Sequence, residues 1–356
     1  MYYRKELPVM SAVYRSLPSR RFLVTALGGH WPVMEKLPNG HLGVVTRDGD
    51  FHIGERGRLV FVTSPDKGES WSHASIISDE GPDNRNPAFG VASDGTLIAS
   101  FIRQVNYTNG DYDWDTHISG DRDPNILYVS LSKDHGTTWT TSPAQVDGQD
   151  SWGVGSPFGK IITLDDDASL MSYYTVEGPT GTPCTIRSHD GGRTWIDPVV
   201  IVPGGYSETS ICNLGEGHLL ALMRGNQGGG LFQVESADNG YHWSDPCRIT
   251  DPSEHPGDVI RLQDGRLLMT YGRRINPFGT LGMVSDDNGK TWDRDNRILL
   301  TADSGGGDHG YPSNVQCDDG TIITVYYSAE LEVKRSPRQE ILGLHGAAVI
   351  YRPEDI

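Results

Sequence analysis

The sequence predicts an all-β fold, a six-bladed β-propeller of four-stranded antiparallel blades, read as a single domain over residues 1–356. Three observations carry this reading. An eight-residue box recurs five times, an apolar hairpin recurs six times, and no long stretch shows the apolar period of a helix. The 44 Gly and 21 Pro suit many short strands and tight turns, and eight Trp and fifteen Tyr supply large rings for a core.

The box reads Ser-x-Asp-x-Gly-x-(Ser/Thr)-Trp. Its copies are SPDKGESW (64–71), SKDHGTTW (132–139), SHDGGRTW (188–195), SADNGYHW (236–243) and SDDNGKTW (285–292), with His242 replacing the hydroxyl residue in the fourth. Trp-to-Trp steps of 68, 56, 48 and 49 residues fit one sheet unit per step with loops of varying length. Each copy makes sense as a hairpin turn. Asp accepts hydrogen bonds from amides of its own turn, Gly permits a positive φ, and Trp wedges between neighbouring sheets. These residues are read as structural.

Each box is preceded by a hairpin of two apolar stretches around a turn. In order these are VMEKLPNGHLGVV, FGVASDGTLIASF, GKIITLDDDASLMSYY, SICNLGEGHLLALM and VIRLQDGRLLMTY. The acidic run Asp165-Asp166-Asp167 falls in the third turn and is read as turn chemistry. A sixth hairpin, SNVQCDDGTIITVYY, is followed by GLHGAAVIYR (343–352) with no box. AVYRSLPS (12–19) is expected to add the missing outer strand of that blade and close the ring, which leaves only short protected edges.

Charge excludes several partners. With 30 Lys plus Arg against 47 Asp plus Glu, the formal net charge is −17, which argues against nucleic acid or an anionic membrane surface. Mean hydropathy is −0.44, and no apolar run approaches the roughly 18–20 residues of a membrane helix. The start, MYYRKELPVM, lacks the apolar core of a signal peptide, so a cytoplasmic location is expected, or a secreted or periplasmic one if a leader has been removed. Cys184, Cys212, Cys247 and Cys317 lie far apart with no CxxC pair. Free thiols are expected, with no disulfide framework, metal site or cofactor.

Blade topology points to one functional rim. In an antiparallel blade the start of the first strand lies beside the end of the second, opposite the boxes. Blade one offers His30, Trp31, Arg47, Asp48 and Asp50 there, and blade two Arg85, Asn86 and Arg103. Blade three offers Trp152, Ser156, Tyr173 and Tyr174, and blade four Glu208 and Arg224. Blade five offers His255, Asp258, Arg273 and Arg274, and blade six Asp308, His309, Tyr311, Tyr326 and Tyr327. Such a ring suits an anionic sugar. Arg–Asp pairs at strand ends also tie blades together, so Arg103 or Asp258 alone carries little. The long aromatic, acidic loop over 104–124 lies on the same rim and is read as a substrate-facing lid or a subunit contact.

At these residues the chain resembles the sialidase superfamily of Asp-box propellers, from about residue 30 to residue 352. Glu208 and Arg224, 16 apart in YSETSICNLGEGHLLALMRG, match the family's Glu and Arg of blade four. Arg273 or Arg274 in LLMTYGRR matches its blade-five Arg, Tyr311 in GYPSNVQ its Tyr, and Asp50 in VVTRDGD its Asp, with Asp48 the rival. The resemblance implies a retaining, exo-acting glycoside hydrolase that cleaves a terminal acidic sugar. Tyr311 would be the nucleophile, Glu208 its base and Asp50 the acid/base, with arginines holding the sugar carboxylate. In the family a Phe/Tyr-Arg-Ile-Pro motif opens blade one, whereas this chain has Gly29-His30-Trp31-Pro32. His30 therefore stands where an Arg is expected, and Arg47, Arg85, Arg103 and His309 join the candidate substrate-binding set. Two alternatives stay open: a uronate polysaccharide lyase using His30 and Tyr311, and a non-catalytic carbohydrate-binding propeller.

Overall fold

The computed structural model describes residues 14–26, 28–50, 52–105, 107–108, 111–112, 125–147, 154–175, 181–335 and 338–356. Six antiparallel blades follow one another along the chain. Blade one comprises His30–Lys36, Leu42–Asp48, Arg58–Ser64 and Ser75–Ser78; blade two comprises Asn84–Val91, Leu97–Gln104, Asn125–Ser132 and Thr140–Pro143. Blade three comprises Ser156–Thr163, Ser169–Thr175, Thr182–Ser188 and Thr194–Val200, and blade four Tyr206–Gly215, His218–Gly225, Gly230–Ser236 and Cys247–Arg248. Blade five comprises Glu254–Arg261, Leu267–Arg273, Gly279–Ser285 and Ile298–Thr301. Blade six takes Gly310–Gln316, Ile322–Ser328 and His345–Tyr351, with a separate hairpin, Leu331–Arg335 and Arg338–Leu342, between the last two.

The outer strand of blade six is Arg20–Thr25, pairing antiparallel with His345–Tyr351 in the register Arg20↔Ile350. This corrects the expectation that 12–19 closes the ring. Within that stretch Arg15–Ser16 pairs parallel with Ile298–Thr301 on the edge of blade five instead. An outer strand buries little, so its pattern marks it weakly: only Val24 of the closing strand is buried.

The six inner strands pack side by side around the axis, and Gly310–Gln316 against His30–Lys36 completes the circle. Blades two and three also share a short parallel ladder between their inner strands, Gly159↔Ala88 to Ile161↔Gly90. Gly90 permits this approach, since a Cβ there would stand 2.0 Å from the Ile161 carbonyl oxygen.

The core is divided into six apolar wedges, one between each pair of adjacent blades. Met34, Val62 and Ile323 fill the six–one wedge, and Leu59, Phe61 and Phe89 the one–two wedge. Each box Trp packs into the wedge before its own blade: Trp71, Trp139, Trp195, Trp243 and Trp292 in turn. The five–six wedge has no box Trp and takes Tyr326, Tyr351, Leu17 and Ile356.

The boxes close on themselves. In the first, Ser70 donates to Asp66 from its amide (2.8 Å) and its hydroxyl (2.6 Å), and the Gly68 amide donates to Ser64 Oγ (2.7 Å). The five box glycines all have φ between 83 and 90°. In the fourth copy His242 Nδ1 lies 2.6 Å from Asp238 Oδ2, doing the work of the missing hydroxyl. The Asp167 amide donates to the Leu164 carbonyl at 3.1 Å and the Ala168 amide to Asp166 Oδ1 at 3.2 Å, so the acidic run forms a turn, while Asp165 reaches across to Gly217 N and Asn213 Nδ2 of blade four. All four cysteines are free. Among the described residues no helix is long and apolar enough to cross a membrane.

Candidate active site

The funnel rim is made by one repeated backbone irregularity. Five of the six inner strands have a break in register at the start, between His30 and Val33, Arg85 and Ala88, Tyr206 and Thr209, Glu254 and Gly257, and Gly310 and Ser313, whereas that of blade three comes later, between Phe158 and Ile162. Four of the breaks carry Pro (Pro32, Pro87, Pro256, Pro312), which a bulge tolerates because its amide is unpaired anyway. The residues before three of them, Trp31, Asn86 and Tyr311, have φ of 51, 52 and 51°, a left-handed conformation that L side chains adopt only when their surroundings enforce it. The side chains at these strand starts include Trp31, Asn86, Ser156, Glu208, His255 and Tyr311, with Glu208 at the position that Pro takes in blades one, two, five and six.

Tyr311 and Glu208 meet across the funnel. The Tyr311 hydroxyl donates to Glu208 Oε1 at 2.5 Å, and Arg224 Nη1 donates to Glu208 Oε2 at 2.7 Å and to the Tyr311 oxygen at 3.3 Å. Glu208 and Tyr311 are 7% and 5% exposed, so they touch solvent only through the mouth. Burial, with the Glu208 carboxylate beside it, pushes the Tyr311 phenol well above its ordinary pKa and keeps it neutral. Burial opposes the charge of Arg224, but Glu208 and Tyr311 outweigh it and hold the guanidinium firmly charged. Arg274 lies 5.1 Å over the Tyr311 ring and donates from Nη2 to the His309 carbonyl at 3.1 Å, while its Nε is buried without a partner among the described residues.

Adjacent residues at strand ends divide between funnel and wedge because successive side chains alternate. Tyr174 faces the funnel, accepting from Asn86 Nδ2 at 3.2 Å, and burial beside Glu208 pushes its pKa up to about 12; Tyr173 joins the two–three wedge. Tyr327 faces the funnel and Tyr326 the five–six wedge. Arg274 reaches Tyr311, whereas Arg273 donates to the Ile275 and Pro277 carbonyls and lies 3.8 Å from Glu254. The structure therefore brings Arg274, and not Arg273, to the Glu208–Tyr311 group.

Arg47 is fully buried and spent on Asp83, with Nη2 to Oδ1 at 2.6 Å. Arg85 lies 5.0 Å over Trp31 and donates to Gln104 Oε1 at 2.8 Å. Arg103 stacks 4.0 Å over Tyr128 and donates to Asn84, on the blade-two side. Asp48 is paired with Arg58 at 2.6 Å. Asp50 lies on the loop after that strand, its Oδ2 accepting from the Arg56 amide at 3.1 Å. His309 pairs its Nε2 with the Arg273 carbonyl at 2.9 Å, and burial beside Arg274 lowers its pKa to about 4. Burial, with Arg224 and Arg274, lowers His255 to about 2. Asp258 sits deeper on the axis, accepting from Ser210 Oγ and from Asn314, 3.8 Å from the buried Lys160. Trp152 and most of the 104–124 loop lie outside the described residues.

With this geometry in place, known proteins give the context. Residues 59–324 match the family model for the BNR repeat-like domain. The chain belongs to the BNR repeat-like, sialidase-related superfamily. A sialidase of Micromonospora viridifaciens is 24% identical over 289 residues, which is 70% of this chain; the chain spans 44% of that protein's length. Among solved structures, a protein of unknown function from Dyadobacter fermentans superposes with a TM-score of 0.75 at 19% identity, covering 93% of this chain and 98% of that one. A Hadza microbial sialidase gives 0.72 at 21% (92% and 66% covered), and the intramolecular trans-sialidase of Ruminococcus gnavus gives 0.67 at 13% (95% and 98%).

This BNR propeller also assembles residues that sequence reading passed over. His52, on the loop after Asp50, has Nδ1 2.9 Å from Asp308 Oδ2, and Tyr327 donates to Asp308 Oδ1 at 2.5 Å. His30 lies beside them, with its ring 5.3 Å from Tyr327 and 5.2 Å from Trp31. Phe158 packs 5.9 Å from Tyr311 on the funnel floor. His52 was visible as a histidine two residues beyond a candidate acid, but nothing local ties it to Asp308.

Proposed function

We propose that this protein is a retaining exo-glycoside hydrolase that removes a terminal acidic sugar, a sialic acid or a related ulosonic or uronic acid, from a glycan. The observation that carries the reading is the 2.5 Å bond from the Tyr311 hydroxyl to Glu208, with Arg224 on both groups. A neutral phenol suits attack at an anomeric carbon next to a carboxylate, because an anionic nucleophile would be repelled. Its high pKa makes a base obligatory, and Glu208 is in place to take the proton as the Tyr–carbon bond forms. Arg224 and Arg274 supply the cations facing Tyr311 and would hold the carboxylate. Asp50 would protonate the departing oxygen and later deprotonate the water that breaks the glycosyl–tyrosine bond.

The lyase alternative pairs His30 with Tyr311. Tyr311 gives its hydrogen bond to Glu208, and His30 is wholly buried among Trp31, His52 and Tyr327, which favours hydrolysis. The test is a panel of aryl glycosides of sialic acid, other ulosonic acids, uronic acids and neutral sugars. Cleavage of an acidic glycoside, abolished in Tyr311→Phe, is the expected result. Turnover that survives Tyr311→Phe, an unsaturated uronate product, or binding without any turnover overturns the reading.

A further inference from the structure

His30 is 0% exposed, and neither ring nitrogen has a hydrogen-bond partner among the described residues. A buried imidazole with both nitrogens idle is costly. The ring faces two other metal-binding side chains. One ligand atom from each of His30, His52 and Asp308 lies within 4.8 Å of the others, and the His30 and His52 rings meet edge-on at 5.9 Å. We propose that His30, His52 and Asp308 form a binding site for one divalent transition-metal ion, for which Zn²⁺ is the best chemical match.

The donor set fits. Two imidazoles and one carboxylate are the ligands of three-coordinate protein sites that leave a fourth position open. Bonds of about 2.0–2.2 Å place tetrahedral ligand atoms about 3.3–3.6 Å apart, so the group has to contract by about 1 Å. His52 can supply that movement, since it sits on a loop and its side chain is 27% exposed, which also opens a path for the ion. Protonation states agree with the geometry. Burial, with Arg47 nearby, keeps His30 neutral, and although burial favours the acid form of Asp308, Arg274 helps to hold it ionised. Tyr327 fixes the other carboxylate oxygen, as groups behind metal ligands do. Of the nearby cations, Arg47 and Arg85 both face the Asp83 carboxylate, at 2.6 and 3.5 Å.

The ion would bring two positive charges to a cluster with one carboxylate, leaving a net cation where His30 replaces the expected arginine. That its open position takes the sugar carboxylate rests on the glycoside hydrolase reading; the binding of the ion does not. Calorimetric titration of the chelator-stripped full chain with ZnCl₂ at neutral pH is expected to show one equivalent bound and a raised melting temperature. Mg²⁺ and Ca²⁺, which prefer all-oxygen sets, are expected not to bind. His30→Gln and His52→Gln should each weaken Zn²⁺ binding about 100-fold or more, and Tyr327→Phe about 10-fold. His52→Gln, at a partly exposed loop position, decides the matter if His30→Gln fails to fold. A stripped chain that takes up no Zn²⁺, or uptake unchanged in His52→Gln, overturns the proposal whatever sugars the protein cleaves.

Discussion

The two ends of this propeller come from one repeat and follow opposite rules. At the box end, five turns repeat a single bonding scheme, each carboxylate held by amides and hydroxyls, or in the fourth copy also by the His242 imidazole, within four residues of it. At the funnel end the strand starts carry different side chains from blade to blade, and His30, Arg85, Arg274 and His255 each bury a nitrogen without a partner among the described residues. A turn that satisfies itself can be copied from blade to blade at no risk to the fold. A site depends on departures from the copy, and each departure is supported by other blades.

The largest test of this contrast is chemical. Glu208→Gln is expected to cut turnover of a cleaved acidic glycoside by about 10³-fold or more while leaving the melting temperature nearly unchanged. A variant that loses stability in step with activity would mean that the funnel residues hold the blades together. Arg47→Met serves as the opposite control. It takes the nearest cation from Asp83, which is 0% exposed, and should cost about 3 kcal/mol in urea unfolding, as broken buried pairs do.

Acid should separate the two ends. His309 and His255 are held at about 4 and about 2 against the ordinary 6.5, so the unfolded chain binds more protons than the folded one below neutrality. Their contribution is complete above pH 6.5 and falls away as the pH drops from there. The box carboxylates Asp134, Asp238 and Asp287 are held at about 2 against 3.8, so theirs is intact above about pH 4 and is lost only from there towards pH 2. Melting temperature measured against pH should therefore fall in two stages, and His255→Gln should flatten the upper one. Removing one box carboxylate is a smaller change. Asp190→Ala is expected to cost about 1 kcal/mol, by analogy with lost caps. His242→Thr restores the consensus hydroxyl and should move stability by less than about 0.5 kcal/mol.

The same contrast explains what the sequence made legible. Each box closes within eight residues, so blade order and turn chemistry could be read directly, and Glu208, Arg224 and Tyr311 could be placed through the family pattern. Arg273 and Arg274 could not be separated, because strand alternation is known in advance but its phase at a strand end is not. The pairing of His52 with Asp308 spans 256 residues and exists only once the ring has closed. The closing strand was misplaced because an outer strand with one buried residue leaves almost no apolar signature.

That closing strand also sets a timetable. Gly346 N donates to Thr25 Oγ1 across 321 residues of chain. During synthesis at about 5–20 residues per second, Arg20–Thr25 must wait roughly 15–65 s for its partner to be made. Throughout that interval the blade-one side of the six–one wedge, Met34, Val44 and Val62, has nothing to pack against. The newborn chain is therefore most vulnerable at the end that emerged first.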